Sequence, residues 1–165
     1  MPLEAAVILN PPGWFPDAAQ QLPHWPYLQA VDEALVGRGL PPGTVRADCT
    51  HREQGRTMYL VLVWDISRTA GVGGLRFKWQ EGTGWAYALL GASPSIPTPT
   101  RPIAALHRVF AAPDDVAAVA EQYVRIWRMP TGEYGAEWTG APHVRDTIER
   151  FRATLNKPGG VWTDG

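Results

Sequence analysis

The feature that most constrains the fold is a pair of alternating segments on either side of Glu81-Gly82-Thr83-Gly84. Residues 75–80 read Leu-Arg-Phe-Lys-Trp-Gln, so apolar side chains alternate with basic or polar ones, and apolar residues return over Trp85–Leu90. A period of two is typical of a strand with one buried face. Two such strands joined by a Gly-rich connection predict a β-hairpin.

The length of the turn decides which face carries the aromatic side chains, because a shift of one residue moves every side chain to the other face. A turn of two or four residues would place Arg76 and Lys78 beside Trp85 and Tyr87, a basic-aromatic surface suited to single-stranded nucleic acid. A three-residue turn would bury both aromatic side chains and leave the basic ones outside. We favour three residues, because a glycine at the end of such a turn adopts positive φ at little cost. The turn would then be Gly82-Thr83-Gly84, with Trp79 opposite Tyr87 and Phe77 opposite Leu89.

Apolar spacing predicts the other elements. Helices are expected at Pro26–Arg38, Pro113–Arg128 and Pro142–Leu155, and further strands at Thr44–Cys49 and Thr57–Trp64. The near-continuous apolar run of residues 57–64 is typical of a central strand covered on both faces. Residues 91–102 are expected to form an extended surface crossing, and Ile103–Phe110 either a strand or a short helical piece. This order predicts a two-layer α+β domain: an antiparallel meander of four to five strands with helices packed on one face.

The 165 residues suit one domain of residues 26–155, preceded by a Pro- and aromatic-rich arm of residues 1–25 and followed by a loose tail of residues 156–165. The eight tryptophans divide accordingly. Four lie on periodic elements and are expected in the core: Trp64, Trp79, Trp85 and Trp127. Four lie in the Pro/Gly-rich ends: Trp14, Trp25, Trp138 and Trp162.

Composition excludes several classes of protein. With 15 basic and 16 acidic residues the net charge is −1, which excludes a strongly basic nucleic-acid coat. The single cysteine, Cys49, excludes a disulfide framework and a Cys-rich zinc site. The four histidines are scattered, so we expect no metal and no cofactor. No apolar run approaches about 18 residues and no secretory pattern is visible, so we expect a cytoplasmic protein without membrane contact.

Three segments together resemble a family of small uncharacterised actinobacterial proteins. They are the helix Tyr27–Leu35, the hairpin segment Leu75–Tyr87, and the helix that begins Pro-Asp-Asp-Val-Ala-Ala-Val-Ala at Pro113. The common feature is a Trp–charged–Gly–Trp hairpin flanked by helices, and the resemblance covers residues 26–128. That group has no known activity, so the resemblance implies a domain of unknown function and no catalytic residues.

The densest set of reactive side chains lies at residues 48–53. Asp48, His51 and Glu53 are the candidate catalytic residues, and a Cys49–His51 nucleophilic pair is conceivable. On a strand, however, Asp48 and Cys49 point to opposite faces, and no third orienting group is fixed by the spacing. We therefore favour Cys49 as a small buried hydrophobe and consider an enzyme the less favoured class.

The favoured function is a non-enzymatic protein-binding or adaptor module that contacts another protein or a second copy of itself. Aromatic side chains dominate the energetics of interfaces, and five lie outside the predicted core elements: Trp14, Phe15, Tyr134, Trp138 and Trp162. The alternative is a nucleic-acid-binding protein that uses Arg76 and Lys78 of the hairpin together with the arginine-rich helices. A small enzyme with an unrecognised site is the second alternative.

Overall fold

The computed structural model describes residues 22–50, 57–70, 73–91, 99–128, 130 and 132–155. The helices in this part are α1 (Trp25–Gly37), α2 (Pro113–Ile126) and α3 (Ala141–Leu155), with a short 3₁₀ helix at Ile66–Arg68. The strands are β1 (Thr44–Cys49), β2 (Met58–Trp64), β3 (Gly74–Gln80), β4 (Gly84–Leu90) and β5 (Arg101–Pro102).

Each strand pairs antiparallel with its neighbour in sequence, in the order β1-β2-β3-β4-β5. The predicted meander is confirmed, and so is the α+β class with helices packed on one face. The fifth strand lies in the segment expected to be an extended crossing, where Arg101–Pro102 pairs with Ala86 and Tyr87. The expectation of a strand or helical piece at residues 103–110 is wrong: this segment forms turns and a single bridge from Leu106 to Tyr134.

The hairpin has the predicted face but a shifted pairing. Its turn is the three residues 81–83, one position earlier than expected, so Trp79 lies opposite Trp85 and Phe77 opposite Tyr87. Because the turn still has an odd number of residues, all four aromatic rings face the helices. Gly84 follows the turn with a φ of +84°. Arg76 and Lys78 point away from the helices, opposite Ala88 and Ala86.

The helices follow from their apolar stripes and their terminal residues. Tyr27, Leu28, Val31 and Leu35 lie on one side of α1 and are buried. A proline occupies the first turn of α2, followed by two acidic residues that favour the positive end of the helix dipole. The helix ends at Ile126, because Trp127 adopts the left-handed conformation at φ 51°. The prediction that Trp127 lies in the core on this helix is wrong, since it is half-buried outside it.

Three indole groups donate hydrogen bonds that fix neighbouring segments to the core. Trp64 Nε1 donates to the carbonyl oxygen of Leu40 at 3.0 Å, and Trp79 Nε1 donates to that of Val109 at 2.6 Å. Trp85 Nε1 donates to the hydroxyl of Tyr27 at 3.0 Å. All three indoles are buried, as expected, and each N–H thereby finds the partner that a buried donor requires.

Strand β2 is not covered on both faces by the described elements. Met58, Leu60, Leu62 and Trp64 are fully buried, whereas the three residues between them are only half-buried. Among the described residues the helices lie on one side of the sheet, and cover on the second face of β2 stays a prediction. Buried and half-buried side chains alternate along β2. Because all of its residues are apolar or aromatic, the sequence alone does not show this alternation.

Candidate functional site

The side of the sheet that faces away from the helices is here called the outer face. The register of the three pairs formed by β1 to β4 places alternate residues of these strands on it. They are Thr44, Arg46, Asp48, Tyr59, Val61, Val63, Arg76, Lys78, Gln80, Ala86, Ala88 and Leu90.

Apolar and cationic side chains alternate across this face. Arg46 lies opposite Val61, which lies opposite Lys78 on the next strand. Arg76 lies between Val63 of β2 and Ala88 of β4. Directly opposed side chains in a sheet are about 5 Å apart, so these residues form one continuous surface. On β4 the residues beside the two cations of β3 are alanines, of which Ala86 is half-buried and Ala88 is buried.

Three polar groups of the outer face contact neighbouring residues. Lys78 Nζ lies 5.3 Å from the centre of the Tyr59 ring, a cation–π contact. Arg76 donates a hydrogen bond of 3.3 Å to the Thr100 hydroxyl. Asp48 is the one carboxylate of the outer-face set, and its Oδ1 accepts the backbone N–H of Cys49 at 2.9 Å. The face therefore carries three cations and one carboxylate.

The candidate catalytic set is not assembled by the described residues. Asp48 is on the outer face with its carboxylate bonded locally, and His51 and Glu53 lie outside the described residues. Cys49 is half-buried against the core, as expected for a small hydrophobe. Over the described ranges, no group of three or more His, Cys, Asp or Glu side chains is placed to hold a metal ion.

Shifted pKa values do not converge on one place in the described chain. Burial lowers the pKa of His24, beneath the sheet, to about 4. Burial and the neighbouring Glu33 raise the pKa of Asp32 on α1. A hydrogen bond from Arg145 lowers the pKa of Glu137, near α3. A catalytic acid–base pair would bring such groups together, and these three lie on different elements.

Two of the expected aromatic anchors pack on the domain itself. The Trp138 ring centre is 5.0 Å from that of Tyr27 and 6.4 Å from that of Phe110. Tyr134 is half-buried against the same core, and its hydroxyl accepts a long hydrogen bond of 3.4 Å from Gln122. Trp14, Phe15 and Trp162 lie outside the described residues. Tyr134 and Trp138 therefore help to hold residues 132–140 on the domain.

The basic residues of the helices are mostly paired with acids. Arg125 lies 3.2 Å from Glu121, and Arg150 lies 2.8 Å from Asp146. Arg145 pairs with Glu137, and Arg152 pairs with Glu81 at the hairpin turn. These pairs are typical of ordinary solvated helix faces and leave little unpaired positive charge for a nucleic-acid surface on the helices.

Sequence reasoning placed Arg76 and Lys78 on an exposed face but missed their neighbours. Arg46 alternates with buried residues in β1, so its exposure was visible in the pattern. The sequence did not identify Tyr59, Val61 and Val63 as outer-face residues, because apolar residues occur both in the core and on an exposed face of a sheet. Only the strand register assigns them to the same surface as the cations.

The fold and this surface define a two-layer α+β domain with one sheet face that the described helices leave bare. Residues 27–122, more than half of the chain, match a family of unknown function, DUF6292, and the chain belongs to that family. The resemblance to an uncharacterised family is thereby confirmed, while an actinobacterial origin stays a prediction. No curated protein and no solved structure matches the chain.

The matched residues begin in α1 and end in α2, so they contain the whole sheet. None of the described helices is both long and apolar enough to cross a bilayer. The cytoplasmic location stays a prediction.

Proposed function

We propose that the outer face docks an acidic segment of another protein, so that the domain acts as a non-enzymatic binding or adaptor module. The observation that carries the proposal is the combination of half-buried Val61 and Val63 with three cations on a surface that no described helix covers. Apolar side chains supply burial energy to an interface, and charge of one sign selects the partner. A partner that offers carboxylates spaced among apolar side chains fits this surface.

Charge argues for a different protein rather than a second copy. A two-fold dimer through the outer face would set Arg46, Arg76 and Lys78 against the same residues of the other copy. Like charges brought together across an interface oppose association. A single carboxylate on the face, Asp48, is too few to compensate for three cations in such a dimer.

The nucleic-acid alternative has weaker support. Binding of single strands relies on exposed aromatic rings and on many phosphate contacts. Trp85 and Tyr87 face the helices, and Lys78 lies over the ring of Tyr59. The arginines of α2 and α3 are mostly paired with acids, and the net charge of the chain is −1.

The test measures binding of fluorescein-labelled peptides by anisotropy. One peptide alternates Glu with Val, a second alternates Lys with Val, and a thymidine oligonucleotide is the nucleic-acid probe. The double variant Arg76→Gln, Lys78→Gln removes two outer-face cations, and Arg150→Gln removes an exposed cation of α3 as the matched control. We expect the double variant to bind the Glu-Val peptide about threefold to tenfold more weakly, since exposed ion pairs contribute up to ~1 kcal/mol each. The control variant should bind like the parent.

Other results would contradict the proposal in distinct ways. Equal binding of the two peptides, or none of either, would remove the acidic-partner proposal. Tighter binding of the oligonucleotide, lost in the double variant and steeply dependent on salt, would support the nucleic-acid alternative instead.

A further inference from the structure

A hollow of about 340 Å³ lies on the opposite side of the sheet from the outer face, at the end of the helix layer. Its walls are Tyr87 of β4, Tyr123 of α2 and the backbone and side chains of residues 101–105. Sites for small molecules are typically about 300–1,000 Å³, so this hollow suits a ligand of few atoms. We call it the tyrosine pocket.

Two buried phenols form one wall of the tyrosine pocket. The ring centres of Tyr87 and Tyr123 are 4.9 Å apart with 36° between their planes. Burial and the adjacent Tyr87 phenol raise the pKa of Tyr123. The Tyr123 phenol therefore stays neutral near pH 7, and the two rings offer flat apolar surface and hydroxyls that can hydrogen-bond.

One cation lies at the mouth of the tyrosine pocket. Arg101 lines it and is exposed. Its backbone belongs to β5, whereas its side chain makes no hydrogen bond or ion pair with another residue of the described chain. It differs in this from Arg125, Arg145 and Arg150, which are paired with acids. A planar guanidinium binds a carboxylate through two parallel hydrogen bonds.

Two exposed apolar side chains follow the pocket tyrosines on the same strand and the same helix. Leu89 is 39% exposed and lies two residues beyond Tyr87 on the same face of β4. Ile126 is 58% exposed and lies three residues beyond Tyr123, on the same side of α2. These two are half of the four large hydrophobic side chains found exposed in the described residues. Both therefore extend the apolar faces of β4 and α2 that carry the pocket tyrosines.

We propose that the tyrosine pocket binds a small carboxylic acid with an aromatic or branched aliphatic body. The carboxylate pairs with Arg101, and the apolar body lies against Tyr87 and Tyr123. A phosphorylated ligand fits less well, because a single cation lines the pocket and a dianion requires more. The pocket is distinct from the outer face, so this inference goes beyond the docking of an acidic protein segment and does not depend on it.

Calorimetry or NMR titration with 3-phenylpropionate tests the proposal, with its neutral amide, 3-phenylpropanamide, as the matched ligand. We expect a dissociation constant of about 1 mM for the acid, since ligands of this size gain ~0.3–0.5 kcal/mol per heavy atom. The amide should bind about tenfold more weakly to the parent protein. Arg101→Gln should weaken binding of the acid about tenfold and leave binding of the amide unchanged.

Two further variants locate the site. Tyr123→Phe should keep the ring contact and reduce binding of both ligands by about threefold, the loss of one hydroxyl. Arg128→Gln, an exposed cation just after α2, should bind like the parent. Because Arg101 and Arg128 are exposed, both variants are expected to fold, which thermal unfolding checks directly. Equal binding of acid and amide, no binding up to solubility, or an equal loss in both arginine variants would overturn the proposal.

Discussion

The hydroxyl of Tyr27 joins three segments of the chain in the centre of the core. It donates a hydrogen bond of 2.6 Å to the carbonyl oxygen of Ala111 and accepts one of 3.0 Å from Trp85 Nε1. Its ring contacts the rings of Trp79 and Phe110. Burial raises the pKa of this phenol, so it remains a donor throughout the physiological range. One residue of α1 thus fixes both the hairpin and the segment before α2.

Removal of that hydroxyl should be costly although the ring remains. Tyr27→Phe leaves the Trp85 N–H and the Ala111 carbonyl buried without their partner, and each unpaired group costs about 1–3 kcal/mol. We expect the free energy of unfolding in urea to fall by about 3 kcal/mol. Tyr134→Phe is the control, because Tyr134 is half-buried and, among the described residues, its hydroxyl has one hydrogen bond, the long 3.4 Å contact from Gln122. Equal effects of the two substitutions would contradict the role given to Tyr27.

His24 is a fully buried histidine at the start of α1. Its Nε2 lies 2.9 Å from the carbonyl oxygen of Tyr59, and its ring stacks on Trp79 with centres 6.0 Å apart. Burial lowers the pKa of His24 from 6.5 to about 4, and the neighbouring carbonyls and carboxylates of Asp48 and Glu81 offset only part of this. The imidazole is therefore neutral in the folded protein at pH 7.

This depressed pKa predicts a specific loss of stability in acid. Between pH 6.5 and about 4 the unfolded chain binds a proton at His24 while the folded protein does not. The free energy of unfolding is therefore insensitive to His24 above pH 6.5 and decreases as the pH falls to about 4. The total is about 3 kcal/mol, since one pKa unit is worth ~1.4 kcal/mol.

Urea denaturation across this pH range measures the effect. His24→Gln keeps a group that can donate to the Tyr59 carbonyl but does not titrate, so its stability should depend less on pH than that of the parent. The stability curves of the two proteins should converge as the pH falls. Parallel curves would show that His24 does not contribute to the acid sensitivity.

At the scale of the elements, the hairpin depends on one glycine. Gly84 adopts a φ of +84°, and a Cβ there would lie 3.4 Å from Val109 Cα. An L-residue with a side chain pays about 1–2 kcal/mol for this conformation. Gly84→Ala should therefore lower the free energy of unfolding by about that amount. Gly82→Ala in the same turn is the control, since a Cβ at Gly82 has no atom within 4 Å. Similar losses at both positions would refute the conformational explanation.

The same hairpin shows what a sequence determines about a sheet. The odd number of turn residues, and hence the face of each aromatic ring, was predictable from the alternation on both sides and from the glycines. The position of the turn was not, because Glu-Gly-Thr and Gly-Thr-Gly both give an odd turn. The prediction for Trp127 was wrong for a similar reason. Its spacing fits the apolar stripe of α2, but the helix ends at Ile126, one residue before it.

The candidate sites were predictable to a smaller extent than the fold. The exposed position of Arg76 and Lys78 on the sheet was predictable from the alternation of apolar and polar residues in β3. Val61 and Val63 needed the sheet register, and the tyrosine pocket needed the contact between a strand residue, Tyr87, and a helix residue, Tyr123. Such long-range contacts have no local pattern in the sequence, so composition and periodicity could not indicate them.

At the scale of the whole molecule, the segment beyond the family match is built into the same core. Residues 134–138 are joined to residues 105–112 by four backbone hydrogen bonds of 2.8–3.0 Å. Ala141, Val144 and Ile148 of α3 are buried in the common core, and Arg152 of α3 pairs with Glu81 at the hairpin turn. The described residues from 123 to 155 therefore pack into the same core as the matched segment.

This integration predicts that the described domain unfolds in a single step and that Trp138 contributes to it. Trp138 contacts Tyr27 of α1, so Trp138→Ala should lower the free energy of unfolding by about 3 kcal/mol without splitting the transition. Trp138→Phe, which keeps an aromatic ring in that position, should lose less. Far-ultraviolet circular dichroism and tryptophan fluorescence followed in urea should give coincident curves for all three proteins.

If α3 and residues 132–140 were instead a separate unit, the substitution would produce an early transition in which part of the helical signal is lost while the sheet signal remains. The coincidence of the two probes therefore decides whether the minimal folding unit is the family match at residues 27–122 or extends through α3 to residue 155.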